Sequence, residues 1–148
     1  MELNNYFKLI LSGKLENESF ARSTVAAFCT LLNPTIEEIN DIKTAVSEAV
    51  TNCIVHAYSG KTGEIIIEVF IYGNNVEIKI SDTGCGFADI ARAMQPFYTT
   101  KPDEERSGMG FTLMQAFMDD LNVISTVDIG TTVIMRKTIS RELEDVRA

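Results

Sequence analysis

The chain has 148 residues, of which 45% are hydrophobic and 23% are charged, a composition typical of one globular domain with one core. Its formal net charge of −8 disfavours nucleic acid as a direct partner, because phosphate binding requires a basic surface. We find no apolar run near the ~20 residues of a membrane span. Three scattered cysteines and a single histidine disfavour a disulfide framework and a zinc site. These features predict a cytoplasmic protein that contacts no membrane.

The first 57 residues predict one strand and two helices. Residues 2–13 form a strand pattern that ends in a Ser-Gly turn. Residues 17–33 follow as a helix that stops before Pro34, because proline disfavours helical backbone in the residue before it. Its apolar residues at helical spacing are Phe20, Val25, Phe28 and Leu32. Thr35 and Glu38 have the spacing of a capping box, which predicts the start of a long helix reaching about Ala57.

The remainder predicts two hairpins around a loop and a helix. Residues 63–82 predict a hairpin that turns at 73–75, and after the turn Val76, Ile78 and Ile80 alternate with polar residues. A loop-rich stretch runs to about Gly110, and a helix is expected over 111–121. Residues 122–139 predict a second hairpin that turns near Asp128–Gly130. The expected fold is α+β, a two-layer α/β sandwich with helices on one face of a mixed, mainly antiparallel sheet. The domain is expected to span residues 1–140, and residues 141–148 a polar tail.

An acid and two glycines follow the predicted strand that ends at Asp82. Gly84 and Gly86 allow positive φ angles and let a flat ligand approach the backbone. Asp82 can accept a hydrogen bond from an exocyclic amino group such as that of adenine. The alternative is a tight Asp-Gly turn with no ligand.

Glu48 and Asn52 lie four residues apart on the long helix, so they share one face. That face borders an apolar stripe of Ile42, Ala45, Val46, Ala49 and Cys53. The amide oxygen of Asn52 can ligate Mg²⁺, and the Glu48 carboxylate can take a proton from a hydroxyl group or water. The alternative is that Glu48 and Asn52 are solvated polar residues at the helix margin. His56, one turn further on, is expected to have a structural role.

A polar loop leads into the helix that begins near Phe111. Backbone N–H groups at a helix N-terminus, flanked by glycines, form an anion site. The loop could add charge and hydroxyl donors to a polyphosphate through Thr99, Thr100, Lys101, Arg106 and Ser107. Its length suits a lid over a ligand, and the alternative is a surface loop with a glycine-rich helix cap. In the last hairpin, Thr131 and Thr132 are ordinary strand formers by themselves.

Taken together, these motifs resemble the GHKL ATPase and kinase superfamily, which includes gyrase, Hsp90, histidine kinases and MutL. The segments "NESFAR", "SEAVTN", "TTKP", "RSGMGFT" and "FMDD" are similar to its branch of bacterial anti-sigma factor serine kinases, especially the sporulation (sigma-F) group. The resemblance runs from about Tyr6 to Lys137 and implies the Bergerat-type ATP-binding fold.

Residue roles follow from the resemblance by position. Glu48 matches the catalytic carboxylate that activates the acceptor serine, and Asn52 matches the Mg²⁺ ligand. Asp82 matches the adenine-binding aspartate, supported by Thr131 or Thr132. Further cofactor-binding positions are Gly84, Gly86, Thr99, Thr100, Lys101, Arg106, Ser107, Gly108, Gly110 and Phe111. Arg22 matches an arginine that contacts both the sigma factor and its antagonist.

The resemblance further implies ATP or ADP and Mg²⁺ as cofactors, and a homodimer. Its protein partners would be an RNA polymerase sigma factor of the sigma-F type and a STAS-domain anti-anti-sigma factor. The implied activity is transfer of phosphate from ATP to a serine of the STAS partner. Two alternatives stay open: a stress-type (sigma-B) anti-sigma kinase, and a nucleotide-gated module that sequesters sigma without kinase activity.

Overall fold

The computed structural model describes residues 2–57, 63–86 and 110–140. Three helices and five strands account for most of these residues. In chain order they are β1 (Asn5–Ser12), α1 (Glu18–Cys29), α2 (Ile36–Asn52), β2 (Glu64–Tyr72), β3 (Asn75–Asp82), α3 (Gly110–Phe117), β4 (Asp120–Thr126) and β5 (Gly130–Thr138). No helix in these three ranges is long and apolar enough to cross a membrane.

The five strands form one sheet in the order β1-β2-β3-β5-β4. All four pairings are antiparallel, and β1 and β4 lie at the two edges of the sheet. The sheet places β3 beside β5, and their register brings Asp82 opposite Thr131. This pairing brings the end of β3 next to the start of β5, where the predicted base site lies.

The core lies between the sheet and the helices. Along β2, Ile65, Ile67 and Val69 are fully buried, while the alternate residues are partly exposed or exposed. α1 and α2 pack against each other and contribute Val25 and Val46 to the same buried cluster. Burial of each such side chain contributes about 1.5–3 kcal/mol. The two-layer sandwich with helices on one face of the sheet is therefore confirmed.

Local signals in the sequence determine where α2 begins. The Thr35 side chain accepts a hydrogen bond from the Glu38 N–H (3.1 Å), and the Glu38 carboxylate accepts one from the Thr35 N–H (2.8 Å). These two bonds form the predicted capping box. The predicted apolar stripe is also confirmed, because Ile42, Ala45, Val46, Ala49 and Cys53 are all buried. At its C-terminal end, α2 widens into a π-helical turn over Cys53–Ala57.

Two predictions about the helices were wrong. Phe20 was expected on the apolar stripe of α1, but it is 53% exposed. The buried face of α1 is formed by smaller residues (Ala21, Val25 and Cys29), which allow α1 to pack closely on α2.

The helix predicted over 111–121 ends at Phe117, and residues 120–121 belong to β4. The amino group of Lys137 donates a hydrogen bond to the Phe117 carbonyl (2.7 Å) at this helix end. Asp120 pairs with Arg136 on β5, both in the strand register and through an ion pair of 2.8 Å. Residues 120–121, which the helical periodicity assigned to the helix, therefore pair with β5 instead.

Candidate functional site

The carboxylate of Asp82 is held by backbone groups from two directions. Its Oδ1 accepts hydrogen bonds from the N–H of Gly84 (2.9 Å) and from the N–H of Thr131 (3.2 Å). Thr131 is buried, and its hydroxyl lies 2.7 Å from that of Ser125 on β4. Thr132 instead lies on the opposite face, with its hydroxyl 3.1 Å from that of Ser81. Of the two threonines considered, Thr131 is therefore the one beside Asp82.

Two glycines allow the hairpin of β4 and β5 to approach the loop after Asp82. Gly86 has a φ of +70°, and a Cβ there would lie 2.3 Å from the Thr126 carbonyl oxygen. Gly130 has a φ of +142°, and a Cβ there would lie 2.2 Å from the Asp82 carbonyl oxygen. Both distances are far shorter than van der Waals contact, so any side chain at these positions would move backbone apart. Glycine is therefore required here by the fold itself, before any ligand is considered.

Burial and hydrogen bonding act in opposite directions on Asp82. Burial raises the pKa of its carboxyl group, while hydrogen bonds from Gly84, Cys53 and Thr131 lower it. Cys53 is buried just after the end of α2. The carboxylate thus accepts backbone hydrogen bonds from its own loop and from β5.

A second group of residues lies where α2 meets the start of α3. A methyl group built on Gly110 would lie 3.3 Å from both the Nδ2 and the Oδ1 atoms of Asn52. The same methyl group would lie 3.6 Å from Oε1 of Glu48. Gly110 has no Cβ, so the Asn52 amide and the Glu48 carboxylate can lie directly against the first turn of α3. The predicted shared face of Glu48 and Asn52 is therefore directed toward a helix N-terminus.

These oxygens suit Mg²⁺ bound together with phosphate. Mg²⁺ in nucleotide sites takes one or two protein oxygens and completes its octahedron with phosphate oxygens and water. The Asn52 amide oxygen is a ligand of this hard, oxygen-donor type, and the Glu48 carboxylate lies near the same glycine. Within the described ranges, no group of three or more His, Cys, Asp or Glu side chains could hold a metal by itself. The chemistry of Asn52 therefore fits the predicted Mg²⁺ ligand.

Cys53 connects the two groups of residues. It follows Asn52 directly in the chain and opens the turn that contacts β3, the strand that ends at Asp82. The residues predicted for the base and for the metal therefore lie at the same end of α2. The sequence pattern predicted Cys53 only as part of the apolar stripe and gave no signal for Ser125. A clue to Cys53 was available, because a polarisable thiol adjoins Asn52 on the helix that carries Glu48.

The predicted partner contact, Arg22, lies on α1 and is anchored to α2. Its Nη1 donates to Glu18 Oε2 (2.8 Å) and to the Ser47 hydroxyl (3.2 Å), and its Nη2 donates to the Ser19 hydroxyl (3.1 Å). Glu18 is buried and also accepts a hydrogen bond from the Ser47 hydroxyl. The Arg22 side chain keeps 35% of its surface exposed. The arginine is therefore held in one orientation with part of its surface available.

Several predicted residues lie outside the described ranges. They are the lid and phosphate-loop positions Thr99, Thr100, Lys101, Arg106, Ser107 and Gly108. Phe111 is described and is buried in the core within the first turn of α3, so its backbone, at the helix start, is the part near the site. The side chain of His56 also lies outside the part of the chain that the structure describes.

Comparisons with known proteins give consistent results. A family profile described as a histidine kinase-like ATPase domain matches residues 11–137. The anti-sigma F factor of Caldanaerobacter subterraneus subsp. tengcongensis is 58% identical over 141 residues, covering 95% of this chain and 99% of that protein. The anti-sigma F factor of Thermoanaerobacter pseudethanolicus is 57% identical over 142 residues, covering 96% and 99%. That of Clostridium acetobutylicum is 51% identical over 135 residues, covering 91% and 94%.

A solved structure with the same fold is that of the RsbU and RsbW domains of Rv1364c from Mycobacterium tuberculosis. It superimposes with a TM-score of 0.67 at 17% identity and covers 92% of this chain but only 33% of the larger protein. At that identity the likeness shows the fold alone. The family profile and the relatives of more than 50% identity show more: the chain belongs to the histidine kinase-like ATPase domain family and, within it, to the anti-sigma F factors.

Proposed function

We propose that this protein is an ATP-dependent anti-sigma factor of the sporulation type. It would bind and inhibit a sigma-F-type factor and phosphorylate a serine of a STAS-domain anti-anti-sigma factor. The observation that carries this proposal is the proximity of Glu48, Asn52 and Gly110, with Asp82 at the end of the strand that the turn after α2 contacts. A carboxylate and an oxygen ligand face a helix N-terminus there, and a second carboxylate lies at the base end.

Asp82 would recognise adenine through its exocyclic amino group. The ionised carboxylate accepts a hydrogen bond from that amino group while its Oδ1 stays anchored by two backbone N–H groups. The buried Thr131, beside the same carboxylate, would complete the base site. A nucleotide without the amino group would leave this partly buried carboxylate one hydrogen bond short, which is costly.

The phosphates would lie at the N-terminus of α3, where the helix dipole favours an anion. Asn52 would hold Mg²⁺ beside the phosphates, and the ion would neutralise charge that develops during transfer. Lys101, Arg106, Ser107, Gly108 and the threonine pair of the loop would contribute to this end, as the family resemblance implies.

Glu48 would act on the acceptor serine. Its carboxylate takes the hydroxyl proton as the serine oxygen bonds to the γ-phosphorus, and the bond from that phosphorus to the β-γ bridging oxygen breaks. ADP leaves with the electron pair of the broken bond, and phosphoserine remains on the partner. The protein therefore contributes position, charge and one proton acceptor, and forms no covalent intermediate.

Arg22 would contact both protein partners. The Glu18 and Ser47 side chains fix one edge of the guanidinium group, so its exposed edge is available to an acidic group on a partner. The sigma factor and the anti-anti-sigma factor would then compete for one surface. The net charge of −8 adds a general preference for protein partners with basic patches.

A homodimer is the expected assembly, and its cellular location would be the cytoplasm. β1 is an edge strand whose outer face exposes Tyr6 and Ile10, each 53% exposed. Exposed apolar side chains on an edge strand favour association with a second copy. Sedimentation would detect a dimer, and Ile10→Glu would be expected to shift it toward monomer.

The anti-sigma role can be tested by titrating a sigma-F-type factor into the protein in the presence of MgATP or MgADP. The variants are Arg22→Glu and, as a matched charge reversal on the neighbouring helix, Lys43→Glu. We expect Arg22→Glu to lose sigma binding and keep ATP binding, while Lys43→Glu keeps both. Sigma binding that Arg22→Glu leaves unchanged would refute the assigned surface. Binding without phosphate transfer to a STAS partner would favour the nucleotide-gated sequestering module.

A further inference from the structure

Two rows of side chains cross the sheet near the end of β3, one on each of its faces. The strand register places Asp82 opposite Thr131 and Thr131 opposite Ser125, so these residues form one row across β3, β5 and β4. Side chains of residues that lie directly opposite each other point to the same face of a sheet, and those of the next residues point to the other face. The neighbouring row, with Ser81 opposite Thr132, therefore lies on the opposite face.

The hydroxyl groups of Ser125 and Thr131 form a hydrogen bond within the first row. Their oxygen atoms lie 2.7 Å apart, the usual distance for an O–H···O hydrogen bond. The Ser125 oxygen also lies 3.4 Å from the Gly130 carbonyl oxygen, which is longer than the usual range. Thr131 is buried, and its backbone N–H donates to the Asp82 carboxylate (3.2 Å). Ser125 therefore contacts the residue that holds Asp82 from β5.

Backbone contacts fix the position of β4 relative to the loop that follows Asp82. The Asp128 N–H, at the tip of the hairpin of β4 and β5, donates to the Cys85 carbonyl (2.7 Å). A Cβ built on Gly86 would lie 3.1 Å from the Ser125 hydroxyl oxygen. The hairpin thus lies directly against this loop, and the Ser125 side chain is close to it.

The chemistry of the hydroxyl group gives this contact a consequence for base recognition. A threonine hydroxyl has one proton to donate and two lone pairs with which to accept. A serine that donates to Thr131 occupies one lone pair, so the Thr131 proton is directed to another acceptor. The same bond opposes rotation about the Cα–Cβ bond of Thr131, which would put the methyl group in the place of the hydroxyl group. On adenine, the ring nitrogen N1 is an acceptor and lies beside the 6-amino group that Asp82 would bind.

We propose that Ser125 is a positioning residue for base recognition, whose hydroxyl donates to Thr131 and directs the Thr131 proton toward N1 of adenine. This inference rests on the proposed function, in which Asp82 receives the 6-amino group. Asp82 then supplies an acceptor and Thr131 a donor, which match the amino group and N1 of adenine. Guanine carries an oxygen at C6 and a proton on N1, so both contacts would be mismatched. Ser125 itself touches no substrate and acts through Thr131.

A purely structural role for Ser125 predicts a different result, and Ser81 provides the comparison. The hydroxyl oxygens of Ser81 and Thr132 lie 3.1 Å apart across β3 and β5, so they form a serine–threonine pair of the same kind on the opposite face of the sheet. Ser81→Ala and Ser125→Ala each remove one hydroxyl group from such a pair. Both should lower the midpoint of thermal unfolding by a similar amount, but only Ser125→Ala should affect the selection of the base.

The experiment compares MgATP with two analogues that each lack one contact. In 1-deaza-ATP a C–H group replaces N1, and in purine riboside triphosphate a hydrogen replaces the 6-amino group. Dissociation constants are measured for wild type, Ser125→Ala, Ser125→Thr and Ser81→Ala. We expect wild type to prefer ATP over both analogues. Ser125→Ala should lose about fivefold in ATP affinity, within the range of one hydrogen bond between uncharged groups, and less than about twofold in affinity for 1-deaza-ATP.

The other variants and the second analogue show where the effect arises. Ser125→Thr keeps a hydroxyl group and should keep most of the preference for ATP over 1-deaza-ATP. Ser81→Ala should keep all of it. The preference for ATP over purine riboside triphosphate depends on Asp82, so it should persist in all three variants.

Three results would overturn the inference and leave the assignment of Asp82 to adenine intact. The first is a wild-type protein that binds ATP and 1-deaza-ATP equally. The second is an unchanged ratio of these two affinities in Ser125→Ala, and the third is a threonine variant that behaves like the alanine variant. A wild-type protein that binds ATP and purine riboside triphosphate equally would instead refute the base assignment itself, and this inference with it.

Discussion

The contact between Gly110 and Asn52 gives a prediction that separates binding from stability. Gly110 begins α3 and has no positive φ, so its backbone conformation is open to alanine. In Gly110→Ala the new methyl group would lie 3.3 Å from both amide atoms of Asn52 and 3.6 Å from Glu48 Oε1. The amide must then move by a few tenths of an ångström. A displacement of that size should change the stability of the fold little. It should weaken binding of Mg²⁺, because the amide oxygen must fit the octahedral geometry of the ion.

The expected magnitudes follow from these contacts. Alanine is a better helix former than glycine by about 1 kcal/mol, so the free energy of unfolding should be unchanged or rise by at most about that amount. The midpoint of thermal unfolding would rise by at most about 2–4 °C for a chain of this size. Loss of one well-placed ligand should cost roughly 1.4 kcal/mol of MgATP binding, or about tenfold in affinity.

The assay is isothermal titration of ATP with Mg²⁺ and, separately, with EDTA. We expect the tenfold loss with Mg²⁺ and a much smaller loss in EDTA. Ala116→Gly is the matched control, since it makes the reverse exchange at an exposed position of the same helix. It should lower stability and leave ATP binding unchanged. An equal loss of ATP affinity in Gly110→Ala with and without Mg²⁺, or a large loss of stability, would refute the assignment of Asn52 to the metal.

Three further substitutions test other parts of the site. Asp82→Asn should weaken ATP binding at least about tenfold without loss of stability at neutral pH. Burial raises the pKa of this carboxyl in the folded state, so its stabilising contribution is present at low pH and is lost as the pH rises. At neutral pH the asparagine variant should therefore be more stable than wild type in urea unfolding, and this difference should shrink as the pH is lowered. Gly130→Ala should lower the free energy of unfolding in urea by more than about 2 kcal/mol, because φ is +142° and the new Cβ meets the Asp82 carbonyl. Gly73→Ala in the exposed turn should lower it by about 1 kcal/mol. Equal losses would contradict the close approach at Gly130. Glu18→Ala leaves Arg22 without its buried partner and should cost about 2 kcal/mol, seen as a thermal midpoint lower by roughly 4–8 °C, and an unchanged midpoint would contradict a structural role for this pair.

Local signals allowed most of the fold to be predicted from the sequence. The capping box at Thr35 and Glu38, and the alternation of apolar and polar residues in β3, depend on neighbouring residues alone. The errors arose where tertiary contacts outweighed local pattern. Leu121 continues an apolar helical pattern, but residues 120–121 pair with β5 and belong to a strand. Phe20 has helical spacing with the core, yet the small Ala21 occupies the helix contact.

The site was only partly predictable for a similar reason. The spacing of Glu48 and Asn52 places them on one face, but the sequence could not show that Gly110 lies against them. The choice between Thr131 and Thr132 depended on the strand register, which determines the one that lies opposite Asp82. α2 is followed by a π-helical turn over Cys53–Ala57, and no short-range pattern in the sequence marks that turn.

The most direct test of the proposed function is the transfer of phosphate. The protein would be mixed with Mg²⁺, γ-labelled ATP and a STAS-domain anti-anti-sigma factor, with Glu48→Gln as the matched variant that keeps the shape of the side chain. We expect label on a serine of the STAS protein, its loss in Glu48→Gln, and ATP binding retained by both proteins. Equal labelling by the variant, or no labelling by a wild type that binds ATP and the STAS partner, would contradict the kinase mechanism.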